Sequence, residues 1–174
     1  VIVWVYNGGM IRTAKFPTFW ATFFVVITIA LGGRLYGADL SMQQKKALLE
    51  PLEKHAMVYG EGAKKVYVFV DPKCPHSRDF IAMIHENAKM RGIYRYYIFL
   101  YELKRFQSHN LIASIYASHT PLQRTLEVMV GHKEIPSAQS ADPKAAETID
   151  DIARVADEIG VLKRPYLIIV KEQN

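Results

Sequence analysis

Two long apolar runs joined by a single helical segment constrain this chain more than any other feature. The first, Lys65-Val66-Tyr67-Val68-Phe69-Val70, is a continuous β-branched and aromatic run of the kind buried on both faces of a sheet. The second spans residues 93–101. Between them, residues 75–90 carry Phe80, Ile81, Ile84 and Ala88 at helical spacing, with Gly92 as the expected stop. Asp71-Pro72-Lys73 supplies the turn into that helix. Strand, helix and strand with short turns make a βαβ unit, whose strands lie parallel with a right-handed crossover. The predicted fold class is therefore α/β.

The remainder fits around that unit. Residues 41–59 read as a helix through Met42, Leu48, Leu49 and Leu52, ended or kinked by Pro51, and Gly60-Glu61-Gly62 breaks it. Residues 108–130 are helical in pattern, with Pro121 separating two segments. A loop over 136–143 should cap a helix over 144–159, which Gly160 stops. Arg164-Pro165 then leads into a third buried-type strand over 166–170. There are no internal repeats and no low-complexity tracts.

At 174 residues, half of them hydrophobic, the chain has room for one domain plus a targeting segment. Its +5 charge is unevenly placed. Residues 1–38 hold three of the 22 basic side chains, Arg12, Lys15 and Arg34, and none of the 17 acidic ones. The rest therefore balances 19 basic against 17 acidic residues, which leaves no nucleic-acid footprint. Residues 16–33 carry no charge and follow Arg12 and Lys15, the pattern of a secretory signal or a signal anchor. The run sits at the short edge of the roughly 17–25 residues a span needs. Cleavage after Gly37 or Ala38 and retention as an inner-membrane anchor both remain open. Residues 1–9 fit no targeting pattern, and Met10-Ile11-Arg12 reads as the natural start of the segment. In either case the positive-inside rule places residues from 39 onward outside the cytoplasm.

Cys74 is the only cysteine, which excludes an internal disulfide and a Cys-rich metal site. It follows a strand and turn at the start of a helix, with Pro75 at the first helical position, where a missing N–H costs nothing. Unpaired N–H groups and the positive dipole end there favour a thiolate, and Lys73 and His76 add positive charge beside it. A thiolate so placed is the nucleophile of thiol–disulfide exchange. The cap position argues for exposure; the competing reading is a small buried hydrophobe.

The stretch 52–59, the run 66–70, Asp71 and Cys74 together resemble the linker and catalytic-domain entry of bacterial periplasmic disulfide isomerases of the DsbC/DsbG type. Residues 149–153, then 159–161, Pro165 and the strand after it resemble that family's approach to its cis-proline. The similarity covers most of 48–170, with a divergent middle, and Cys74-Pro75-His76 itself resembles the active site of the related oxidase branch. The resemblance implies a thioredoxin-like domain with a helical insertion, preceded by the hydrophobic signal or anchor helix. The domain plan is 1–38 for the N-terminal extension and targeting segment, 39–63 for a linker helix and 64–174 for the thioredoxin-like domain. It implies a catalytic group of Cys74, His76 and Ser77, and a substrate-contacting surface of Pro75, Arg164 and Pro165, with Pro165 cis against Cys74. Implied partners are exported proteins with cysteines or disulfides, together with a membrane redox partner and the inner membrane through 16–33.

Departures from the family pattern matter. Arg164 stands where the family more often has a small or hydroxyl residue. Ser77 replaces the second active-site cysteine, so no resolving thiol exists within the motif. The family continues beyond the 171–174 stretch into a hairpin, strand and helix, and its N-terminal dimerisation domain has only residues 41–59 to stand in for it. His55, His85, His109, His119 and His132 lack metal spacing, so neither a metal nor a cofactor is expected. Lys104-Arg105 and Lys163-Arg164 read as solvated charges, and Tyr94, Tyr96 and Tyr97 as strand packing. The leading functional expectation is isomerase-like thiol–disulfide exchange on exported proteins in the periplasm. One alternative is a glutathione-linked monothiol transferase, because Cys-Pro-X-Ser also occurs in glutaredoxin-like sites; an export signal opposes it, since glutathione-based reduction belongs to the cytosol. Another is a non-catalytic thioredoxin-fold chaperone or assembly subunit of an envelope system.

Overall fold

The computed structural model describes residues 40–136 and 142–170. The apolar run 16–33, most of the 136–143 loop and residues 171–174 lie outside the described residues. Among those described, no helix is long and apolar enough to cross a membrane.

Four strands form one sheet in the order β1-β3-β2-β4. The central pair, β2 (Lys64–Val70) and β3 (Tyr94–Leu100), runs parallel with Val68 opposite Ile98, as a βαβ unit requires. The edge strands β1 (Met57–Tyr59) and β4 (Tyr166–Ile169) are both antiparallel to their neighbours, with Met57 opposite Ile98 and Val68 opposite Leu167.

Alternation along β2 and β3 divides the core into two layers. Val66, Val68, Val70, Ile98 and Leu100 face one way, onto Ile81 and Ile84 of α2 (Pro75–Glu86). The same layer takes Leu111, Ile112 and Ile115 of α4 (His109–Tyr116) and Val128 and Met129 of α5 (Pro121–Met129). Tyr67, Phe69, Tyr97 and Phe99 face the other way, onto Ile152, Val155, Ala156 and Ile159 of α6 (Pro143–Ile159) and Leu49 of α1 (Met42–Leu49). Both faces of the sheet are covered, which is why β2 and β3 read as unbroken apolar runs.

The helix ends carry their expected chemistry. Ser41 and Gln44 close a capping box on α1. Asp142 accepts from the Lys144 and Ala145 N–H groups at the start of α6, and Gly160 ends that helix in the left-handed conformation at φ 79°. Gly62 is required for a different reason. A Cβ there would sit 2.0 Å from the Ile93 carbonyl carbon, so only glycine lets the β1–β2 connection pass the start of β3.

Three local expectations are corrected. Residues 57–59 are strand β1, not the end of a helix: the helix stops at Leu49, a short 3₁₀ turn follows over Pro51–His55, and pairing with β3 recruits the next residues. The helix expected over 75–90 breaks at Asn87, whose side chain accepts from the Met90 N–H and starts α3 (Ala88–Ile93). Gly92 is consequently inside α3 rather than at a helix stop.

Candidate active site

The parallel strands β2 and β3 end at the same edge, and the site is built where β2 hands the chain to α2. Asp71 leaves β2 fully buried. Its Oδ1 accepts from the Lys73 N–H at 2.8 Å, while Oδ2 accepts from the Leu103 N–H at 2.6 Å and from Ser108 Oγ at 2.8 Å. One carboxylate thus ties the β2–α2 turn to the loop after β3. The Cys74 N–H donates to the Asp71 carbonyl at 3.0 Å, completing the turn. Ser77 reinforces it from within α2: its buried Oγ accepts from the Asp71 N–H at 3.2 Å.

Cys74 occupies the N-cap of α2 with Pro75 at the first helical position, and its side chain makes no capping bond. The sulfur instead turns toward the loop before β4, where it donates weakly to the Arg164 carbonyl at 3.7 Å. The Arg164–Pro165 peptide bond is cis. Cys74 and Pro165, 91 positions apart in the chain, are brought together by the antiparallel pairing of β4 with β2.

Cys74 is 1% exposed. The expectation of an exposed sulfur from its cap position is therefore corrected, because the Arg164–Pro165 loop lies over the thiol. Pro75 and His76 are exposed on the first turn of α2, whereas Ser77 points inward. Lys73 donates its Nζ to the Gln107 carbonyl at 2.9 Å.

Arg164 departs most from what its sequence position suggests. Its side chain is buried, and its donors are spent on four backbone carbonyls. Nε reaches Tyr101 at 3.0 Å and Nη2 reaches Glu102 at 3.2 Å. Nη1 reaches Val161 at 3.0 Å and Lys163 at 3.1 Å. The guanidinium also lies 3.8 Å from the centre of the Tyr101 ring, whose hydroxyl donates to Asp157. Burial pushes the Arg164 pKa down, opposed by Tyr101, Asp71 and Asp157. Its carbonyl, rather than its guanidinium, faces the thiol. Tyr101 escaped the sequence reading, and Asp71 entered it only through the turn and the family resemblance; the signal for its buried role was a carboxylate placed directly after an apolar run.

A groove of about 450 Å³ lies between the loops that Arg164 joins, lined by His76 and by Arg164, whose carbonyl faces the thiol. The Lys104-Arg105 and Lys163-Arg164 pairs, which read separately as solvated charges, both line it. Among the described residues no group of His, Cys, Asp or Glu is placed to hold a metal ion.

This sheet order, with a cysteine at the N-cap of the crossover helix and a cis-proline ahead of the last strand, is a thioredoxin-like fold. Similar solved structures include Proteus mirabilis ScsC in a transitional conformation, at a TM-score of 0.59 and 10% identity over 86% of this chain and 79% of that one. A disulfide interchange protein from Neisseria gonorrhoeae matches at 0.51 and 18% identity over 67% and 80% of the two chains. The thiol-disulfide exchange protein alpha-DsbA2 from Wolbachia pipientis matches at 0.51 and 14% identity over 74% and 86%. No protein-family model and no curated protein matches the sequence. At these identities the likeness establishes the fold.

Proposed function

We propose that this chain carries out thiol–disulfide exchange through Cys74, in an isomerase-like manner, on exported proteins that carry cysteines or disulfides. The carrying observation is the placement of the Cys74 sulfur at the start of α2, against the carbonyl of the cis Arg164–Pro165 bond. The loop carrying Pro165 supplies a backbone surface beside the sulfur. The Cys74 thiolate attacks one sulfur of a substrate disulfide, having lost its proton to solvent. The Cys74–substrate S–S bond forms as the substrate bond breaks, and the departing sulfur leaves as a thiolate and takes up a proton. With Ser77 in place of a resolving cysteine, the adduct ends when a second substrate thiol or an external thiol attacks it. Attack by the substrate's own thiol leaves a rearranged disulfide with no net oxidation.

Ser77 and Arg164 act as positioning residues, one fixing the Asp71 turn and the other the loop over the sulfur. Pro75, His76 and Pro165 form the substrate side. The targeting pattern of residues 16–33 supports a periplasmic location, soluble after cleavage or held at the inner membrane, where a membrane redox partner would meet it. Because Cys74 is covered, the Arg164–Pro165 loop must open before a protein disulfide reaches the sulfur. That same burial favours a second reading, a non-catalytic thioredoxin-fold chaperone or assembly subunit with an inert cysteine. Recovery of a scrambled-disulfide substrate separates the two. The wild-type chain should accelerate recovery in the presence of a small thiol and Cys74→Ser should not; equal recovery with both would favour the non-catalytic reading.

A further inference from the structure

We infer that the groove beside Cys74 binds an acidic segment of the substrate protein, so that the disulfides attacked are those flanked by aspartate and glutamate. The identity of the reacting cysteine rests on the exchange reading above; the groove itself does not. Its two walls come from distant parts of the chain. Leu103, Lys104 and Arg105 follow β3, whereas Leu162 and Lys163 precede β4, and His76 contributes from α2. Arg164 fixes the distance between the walls, since its guanidinium holds the Tyr101 and Glu102 carbonyls on one side and those of Val161 and Lys163 on the other. The basic side chains are therefore presented from a braced floor rather than from two independent loops.

Lys104, Arg105 and Lys163 are exposed, and none is ion-paired with a described acid. The nearest carboxylate in sequence, Glu102, is engaged elsewhere: its Oε1 accepts from the His109 N–H at 3.1 Å. Among the described residues no acid lines the groove. Leu162, 84% exposed, and Leu103 add apolar surface between the charges. Like charges held in one concavity without counter-charges create a field that steers and retains an anionic partner. A folded substrate also needs its disulfide delivered to a covered sulfur, and a charged segment seated between Leu103 and Leu162 would lie against the loop that must open.

The test uses the full chain and cysteine-free fluorescent peptides, followed by anisotropy. An acidic peptide should bind on the order of tenfold more tightly than its neutral counterpart at low salt, and a lysine counterpart should not bind. The preference should vanish at about 0.5 M salt, where screening acts within a few ångströms. It should also vanish in the triple variant Lys104→Glu, Arg105→Glu, Lys163→Glu. A control with the same change in net charge, Lys64→Glu, Lys89→Glu, Lys144→Glu, should keep it. Equal binding of acidic and neutral peptides, equal loss in the control, or displacement by equimolar glutathione disulfide would each overturn the proposal. The same peptides carrying one cysteine in a disulfide with thionitrobenzoate then separate the groove from the chemistry. Cys74 attacks the peptide sulfur and coloured thionitrobenzoate leaves with the electron pair. Faster release from the acidic peptide supports the inference. Equal release from all three overturns it while leaving the exchange reading intact. Selective binding without release upholds the groove and contradicts the exchange reading.

Discussion

A buried guanidinium bonded to four backbone carbonyls holds together the two loops that surround Cys74. Truncating it leaves those buried and part-buried carbonyls without their charged donor. Arg164→Ala should therefore destabilise the fold by about 3 kcal/mol, within the range for charged hydrogen bonds and the acceptors they leave behind. Arg164→Lys should recover little, because one ammonium cannot reproduce the planar fork that reaches both loops. Urea denaturation of the three proteins measures this, and a loss under 1 kcal/mol in the alanine variant would show that the loops are held some other way. At this scale the sequence was informative about position and silent about direction. Cys74 at a helix start and Pro165 before a strand are legible from local pattern. The inward turn of Arg164, the cover over Cys74 and the bonds from Leu103 and Ser108 to Asp71 depend on residues 32 to 90 positions away.

Helix α1 and the 3₁₀ turn after it are bound into the domain rather than standing off it as a bare linker. Leu49 and Leu52 are buried among Tyr67, Phe99, Ile152 and Val155. Leu49→Ala should cost about 2–5 kcal/mol, the usual cost of a cavity in a packed core, read as a shift in the urea midpoint; no shift would mean that residues 42–49 contribute nothing to the domain. A polar clamp lies next to this contact. His55 Nε2 meets Asp151 Oδ2 at 3.0 Å, and its Nδ1 meets Thr148 Oγ1 at 3.1 Å, so one imidazole pins two successive turns of α6. The hydrogen bonds from Arg154, then His55 and Lys54, hold the Asp151 carboxyl down at about 2, below its ordinary 3.8. A depressed carboxyl contributes stability above its unfolded value and loses that contribution as pH falls through the folded one. The stability difference between wild type and Asp151→Asn should thus be constant above about pH 4 and shrink from there to pH 2. A difference that persists undiminished at pH 2 would contradict the clamp. The longer elements were legible because β2, β3, β4 and α6 each carry a clear apolar period and end signals. Strand β1 was not, because three residues carry no period and its conformation is set by pairing with β3. The break at Asn87 was hidden inside an otherwise continuous helical pattern.

For the whole molecule, the consequence of the fold is convergence. The parallel β2 and β3 end together, the crossover helix begins at that edge, and β4 returns antiparallel to deliver its preceding loop to the same place. Asp71, Cys74, Arg164 and the two basic pairs, scattered over 94 positions, thereby share one corner of the domain. The α/β class and the order of the longer strands and helices followed from apolar runs and breakers. The groove did not, because Lys104-Arg105 and Lys163-Arg164 become a surface only when the sheet closes between them. The proposed chemistry stands or falls with reaction of the Cys74 thiol at this corner with substrate disulfides. Incubation with a partially oxidised protein, acid quenching and intact-mass measurement test it most directly. The wild-type chain should appear as a one-to-one mixed disulfide that disappears on adding a free thiol. Ser77→Cys should shorten the life of that adduct by supplying a resolving thiol, and Cys74→Ser should form none. A wild-type chain that stays free of adducts, even while small alkylating reagents modify Cys74, would contradict the account.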